Sequence, residues 1–155
     1  MILLFEDNAG DILLVQEALQ KQHIRHRLHV IRDGEAALAY IARIVEPGGE
    51  PLPDLVLLDL NLPGADGGQI LSALRRHQGC ARVPVIVVSS SGTPRDQARM
   101  AQLGISRYFR KPIDFDEFMQ LGAVVREVAA LPEVEDELTF ADKHRLPGSS
   151  PRATA

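Results

Sequence analysis

The sequence predicts an α/β domain: a five-stranded parallel sheet, doubly wound, with helices on both faces. Three observations carry this. Short apolar runs alternate with segments of helical period from residue 1 to about residue 131, and strict strand–helix alternation implies a parallel sheet covered on both sides. The run Val56-Leu57-Leu58 is apolar without alternation, as a strand buried on both faces must be. It ends in one carboxylate, Asp59, and Pro63-Gly64 stops the segment; open α/β sheets place ligand sites at the carboxyl ends of their strands.

The first strand is the run from Ile2 to Phe5, ended by Glu6 and Asp7. Asn8-Ala9-Gly10-Asp11 is turn and helix-start chemistry. Ile12, Val15, Ala18 and Leu19 then recur at helical spacing. Leu13 and Leu14 make this helix more apolar than one buried face needs, either as a wide core stripe or as a surface for a partner. His26 to Ile31 alternates, as an edge strand does. His23, His26 and His29 lie three apart, the wrong period for neighbours on a strand, and read as solvated surface rather than metal ligands. Asp33-Gly34 opens a second helix with Ala36, Ala37, Tyr40, Ile41 and Ile44 as apolar members, and the Pro/Gly-rich stretch 46–53 is a loop. After the Asp59 strand, a third helix turns Ile70, Leu71 and Leu74 inward, with Arg75, Arg76 and His77 at its negative pole. Val83 to Val88 is the fourth strand. Thr93 caps a fourth helix with Pro94 at its first position, Ala98, Met100, Ala101 and Leu103 on its apolar side, and Gly104 at its end. Tyr108 to Pro112 is the fifth strand. Asp114 and Glu117 form a capping-box-like start for the last helix, whose apolar face runs through Phe115, Phe118, Met119, Leu121, Val125, Val128 and Leu131.

Composition narrows the function. The chain has 155 residues, 45% hydrophobic and 25% charged, enough for one domain with a core. The net charge of -4 opposes a broad nucleic-acid-binding surface. Cys80 is the single cysteine, which excludes an intramolecular disulfide and a cysteine-based zinc site. No apolar run reaches the length of a membrane span, and the N-terminus lacks the basic flank of a signal peptide. A cytoplasmic protein is expected. The domain covers residues 1–131. Residues 132–155 begin acidic, end Pro147-Gly148-Ser149-Ser150-Pro151, and are expected to form a mobile tail or, through Leu138-Thr139-Phe140, a dimer arm. They lack helical apolar periodicity, so no output domain is expected there.

A parallel sheet brings all its carboxyl ends to one edge. Glu6 and Asp7, Asp59, Ser89 and Lys111 end four of the strands. Three clustered carboxylates repel and call for a cation; hard oxygen donors in an open site suit Mg²⁺. A carboxylate beside Mg²⁺ and a lysine can attack phosphorus to give an aspartyl phosphate, with the ammonium and the ion neutralising the phosphoryl oxygens. Ser89 can donate a hydrogen bond to such an oxygen.

These residues resemble the receiver domains of two-component response regulators. The resemblance rests on Glu6-Asp7, the Asp59 strand with Leu62-Pro63-Gly64, Ser89 after the fourth strand and Lys111-Pro112 after the fifth. The segments 6–14 and 111–118 resemble the single-domain receivers that serve bacterial phytochrome kinases. The resemblance implies a flavodoxin-like (βα)5 fold and a phosphoryl group accepted on Asp59 from a sensor histidine kinase, here a bacteriophytochrome. It implies Mg²⁺ held by Asp7, Asp59 and the Asn61 carbonyl, with Glu6 acting through water. It further implies Lys111 paired with the phosphoryl group, and Ser89 and Tyr108 as switch residues. A cis Lys111–Pro112 bond, a kinase-docking first helix and a homodimer through the fourth helix, fifth strand and fifth helix belong to the same pattern. Ser89 stands where threonine is commoner, and keeps the hydroxyl. The implied protein is a signalling switch rather than a turnover enzyme. Two alternatives stay open: a phosphorylation-independent interaction domain, and an aspartyl-phosphate phosphatase, which would want a general acid where Asn61 stands.

Overall fold

The computed structural model describes residues 1–129. Ten elements alternate: β1 (Ile2–Phe5), α1 (Ala9–Lys21), β2 (Leu28–Ile31), α2 (Gly34–Ala42), β3 (Leu55–Leu58), α3 (Gly67–Arg76), β4 (Val85–Ser89), α4 (Pro94–Gln102), β5 (Arg107–Arg110) and α5 (Phe115–Ala129). The strands form one parallel sheet in the order β2-β1-β3-β4-β5. β2 is an edge strand, as its alternation predicts.

The period-two geometry of a strand divides the apolar runs between two cores. Leu3, Phe5, Val56, Leu58, Val85 and Val87 face α2, α3 and Met100 of α4. Ile2, Leu4, Leu55, Leu57, Ile86 and Val88 face α1 and α5. Helices on both faces explain why the central strands carry no polar residue until they end. The predicted helix starts form, with Asn8, Asp33 and Thr93 each accepting a backbone N–H of the first turn; Asp66, which the sequence reading did not single out, caps α3 and makes a capping box with Gln69. β4 starts at Val85 rather than Val83, because Pro84 has no N–H and joins the sheet only as an acceptor from the Val56 N–H at 3.0 Å. Gly64 turns the chain away from β3 with φ +90°, a conformation in which a Cβ would also meet Asp33 Oδ2 at 3.1 Å.

Several expectations are corrected. Phe115 is exposed, because the first turn of α5 stands at the rim of the sheet before the helix reaches α1. Ala36, Ala98 and Ala101 are also exposed; α4 buries Met100 alone, resting on the sheet along a narrow stripe. The Lys111–Pro112 bond is trans, there being no cis peptide among the described residues; trans is the lower-energy isomer of an X–Pro bond. Leu131, the boundary at residue 131 and the segment 132–155 lie outside the described residues.

Candidate functional site

The strand order reverses direction between β1 and β3, and in open α/β sheets that crevice is where ligands bind. Glu6 and Asp7 emerge from β1 and Asp59 from β3, adjacent strands in register from Ile2 with Leu55 to Phe5 with Leu58. The register places the acids side by side: one carboxylate oxygen from each of Glu6, Asp7 and Asp59 lies within 4.8 Å of the others. Glu6 and Asp59 are buried, and Asp7 is exposed.

Lys111 comes from the far side of the sheet. Its backbone N–H continues the β4–β5 ladder by donating to the Ser89 carbonyl at 2.9 Å. Its Nζ contacts Glu6 Oε2 at 2.7 Å, Asp59 Oδ2 at 2.8 Å and Asp11 Oδ2 at 2.8 Å. The second oxygen of Glu6 accepts the Asn8 N–H at 3.1 Å, and Asp59 Oδ1 accepts the Asn61 N–H at 3.1 Å. Burial pushes the Glu6 carboxyl up to about 7, against the opposing pull of its bond to Lys111. Burial alone would lower the Lys111 ammonium, but its bonds to Asp11, Asp59 and Glu6 raise it well above the usual lysine range.

Three carboxylates therefore face one ammonium, with Asp7 beside two of them, and the surplus negative charge fits a hard divalent cation. The donors suit the role: Asp7 is open to solvent, Asp59 carries unused lone pairs, and Asn61 is exposed beside it. Both Glu6 oxygens are already engaged, so Glu6 fits a role at one remove.

Ser89 is fully buried at the end of β4, and its Oγ accepts the Ser91 N–H at 3.2 Å. Tyr108 is half-buried; its hydroxyl donates to the Ser91 carbonyl, and burial first, then the Asp96 charge, raises its pKa against bonds to Ser89 and Ser91. Ser91 Oγ donates to Asp96 Oδ2 in the first turn of α4. That bond and the one from Thr93 hold the Asp96 carboxyl below the usual range. Ser91 thus links Ser89, Tyr108 and α4.

The structure brings together Glu6, Asp7, Asp59 and Lys111, with Asn61 adjoining and Ser89 and Tyr108 on the neighbouring strands. Sequence reasoning missed Asp11, Ser91 and Asp96 as parts of this network. The available signal for Asp11 was an acid one helical turn beyond Asp7 on the helix that starts at the site.

A family model described as a response regulator receiver domain matches residues 2–122. Response regulator Rcp1 of Synechocystis sp. is 36% identical over 121 residues, 78% of this chain and 82% of that protein. The probable methanogenesis regulatory protein FilR2 of Methanothrix harundinacea is 35% identical over 127 residues, 82% of this chain and 81% of that protein. Among solved structures, that of the phosphorylated cyanobacterial phytochrome response regulator RcpA is similar with a TM-score of 0.74 and 34% identity, covering 85% of this chain and 97% of that one.

Proposed function

The chain belongs to the response regulator receiver family, and on that footing we propose that it accepts a phosphoryl group on Asp59 from a sensor histidine kinase. The observation that carries this is the Asp59 carboxylate itself: buried at the end of β3, yet oriented by the Lys111 ammonium at 2.8 Å and the Asn61 N–H at 3.1 Å. An ionised carboxylate so held needs no general base. An Asp59 oxygen attacks the phosphorus of a phosphohistidine, the P–N bond breaks, and the electron pair leaves on the imidazole nitrogen. Lys111 neutralises the phosphoryl oxygens. Asp7, Asp59 and the Asn61 carbonyl would hold Mg²⁺, with Glu6 behind them; when bound, the ion supplies further charge neutralisation at the same oxygens.

Ser89 and Tyr108 act as the switch, because Ser91 ties both to the first turn of α4. Drawing the Ser89 hydroxyl towards a phosphoryl group disturbs that link and shifts the equilibrium of the α4 face. The protein works as a signalling module and not by substrate turnover. Leu13 on α1, 62% exposed, together with exposed Ile113 and Phe115 at the same sheet edge, forms the kinase-docking surface. α4, edge strand β5 and α5 form a homodimer surface, β5 leaving one side of its ladder unpaired among the described residues. Residues 132–155 are proposed as a dimer arm; equal dimerisation after their deletion would remove that role. This chain matches Rcp1 and FilR2 over about four-fifths of their length, which supports a single-domain regulator of the same kind, placed by this proposal in the cytoplasm with its kinase. The likeness to the phytochrome regulator RcpA favours a bacteriophytochrome as kinase.

Transfer from a phosphorylated histidine kinase tests the proposal. The label moves to the wild-type chain and not to Asp59→Asn; equal labelling of the variant would reject Asp59 as acceptor.

A further inference from the structure

Resting on the acceptor reading above, we infer that Asp11 is a positioning residue that competes with the phosphoryl group for Lys111. An ammonium has three N–H donors and no more. Lys111 uses all three, on Glu6, Asp11 and Asp59 at 2.7, 2.8 and 2.8 Å. It reaches a new oxygen only by leaving one of these partners.

The three partners differ in what leaving costs. The Glu6 side chain is 1% exposed, and without the ammonium it would be a buried charge with no counter-ion. Phosphorylation makes the Asp59 carboxylate, 6% exposed, an uncharged acyl group, so Lys111 exchanges its contact there for one to a phosphoryl oxygen at little cost. The Asp11 side chain is 27% exposed, so water replaces the ammonium there most readily. Of the two partners that stay charged, Asp11 is the one whose hold on the ammonium is more easily weakened. Its carboxylate also repels an incoming phosphoryl dianion, so it opposes the phosphorylated state twice.

The bond has a second consequence. Asp11 sits in the first turn of α1, where its backbone N–H is held by Asn8 Oδ1 at 2.9 Å. The Lys111–Asp11 contact therefore fastens the start of α1 to the end of β5, and exposed Leu13 lies two residues further along α1. A phosphoryl group that draws Lys111 towards itself weakens this contact at the start of the helix that carries the docking surface.

The test uses the full chain with beryllium trifluoride, a non-covalent phosphoryl analogue, at saturating Mg²⁺. Asp11→Asn keeps the size of the side chain and removes the competing charge. It binds the analogue about tenfold more tightly than wild type, the worth of one charge-assisted hydrogen bond. A second readout needs no metal. The chain has three lysines, Lys21, Lys111 and Lys143, so nitrogen-15 lysine labelling resolves the Lys111 ammonium. With divalent ions chelated, its hydrogens exchange several-fold faster in Asp11→Asn. A purely structural role for Asp11 would shift the unfolding midpoint and leave both readouts unchanged. Equal or weaker analogue binding by Asp11→Asn, or unaltered Lys111 exchange, overturns the inference. Absence of analogue binding by the wild type overturns the acceptor reading itself, and this inference with it.

Discussion

Lys111→Met removes the ammonium while keeping an apolar stem of similar length. Among the described residues Lys111 is the sole cation ion-paired to Glu6, Asp11 and Asp59. The variant leaves Glu6 and Asp59 as buried carboxylates without a counter-ion, a change that costs about 3–5 kcal/mol in a folded protein. The solvated position of Asp11 favours the lower end, about 3 kcal/mol at about pH 8 in the absence of metal. Glu6 makes the loss depend on pH. Burial raises its carboxyl from 4.5 to about 7, so the folded state binds this proton more tightly than the unfolded one. The stability this contributes is complete below the unfolded value and is lost as pH rises through about 7. Without Lys111 the carboxyl holds its proton to still higher pH, and a neutral Glu6 needs no counter-ion. The variant therefore loses less at about pH 5.5 than at about pH 8, by roughly 1 kcal/mol. Urea unfolding in a chelator, followed by far-ultraviolet circular dichroism, reads this as a midpoint lower by about 2 M at the higher pH and a smaller shift at the lower one. Equal losses at both pH values, or a more stable variant, would refute the reasoning.

Three further outcomes follow from particular contacts. Gly122→Ala places a Cβ 2.2 Å from the Ala18 carbonyl oxygen, so α1 and α5 must separate; the thermal midpoint falls by an amount equivalent to about 2–3 kcal/mol, and an unchanged midpoint would show that the helices do not pack so closely. Ser91→Ala removes the largest influence holding Asp96 low, so the Asp96 carboxyl titrates at higher pH by nuclear magnetic resonance; an unmoved titration would break the proposed link from Ser91 to α4. Leu13→Ser changes stability by less than about 0.5 kcal/mol, since the side chain is already solvated, but slows transfer from the kinase; unchanged transfer would take α1 out of the docking surface.

Much of this was legible in the chain. Val56, Leu57 and Leu58 need two covered faces, and the alternation of strands and helices requires a parallel sheet, so the carboxyl ends had to share an edge. That topology alone gathers Glu6, Asp7, Asp59 and Lys111. What stayed hidden depends on facts that periodicity does not carry. Asp11 reads equally well as helix-start chemistry, and its partner lies 100 residues away. Ser91 and Asp96 sit in a polar turn whose hydrogen bonds depend on the path of the loop. Phe115 falls on the face of buried Phe118 and Met119, but a face predicts burial only where a neighbour lies over it; Ala98 and Ala101 fall off the Met100 face, about 200° and about 100° around the helix from it. The third and fourth helices differ for this reason: Ile70, Leu71 and Leu74 meet the sheet, whereas α4 meets it through Met100.

The measurement closest to the central claim is the intact mass of the protein after incubation with Mg²⁺ and acetyl phosphate, with Asp59→Asn and a chelated sample alongside. The account predicts one added phosphoryl group on the wild type, lost in the variant and on chelation. A wild type that stays unmodified at every magnesium level under rapid sampling, or a variant that labels as fully as the wild type, would contradict it.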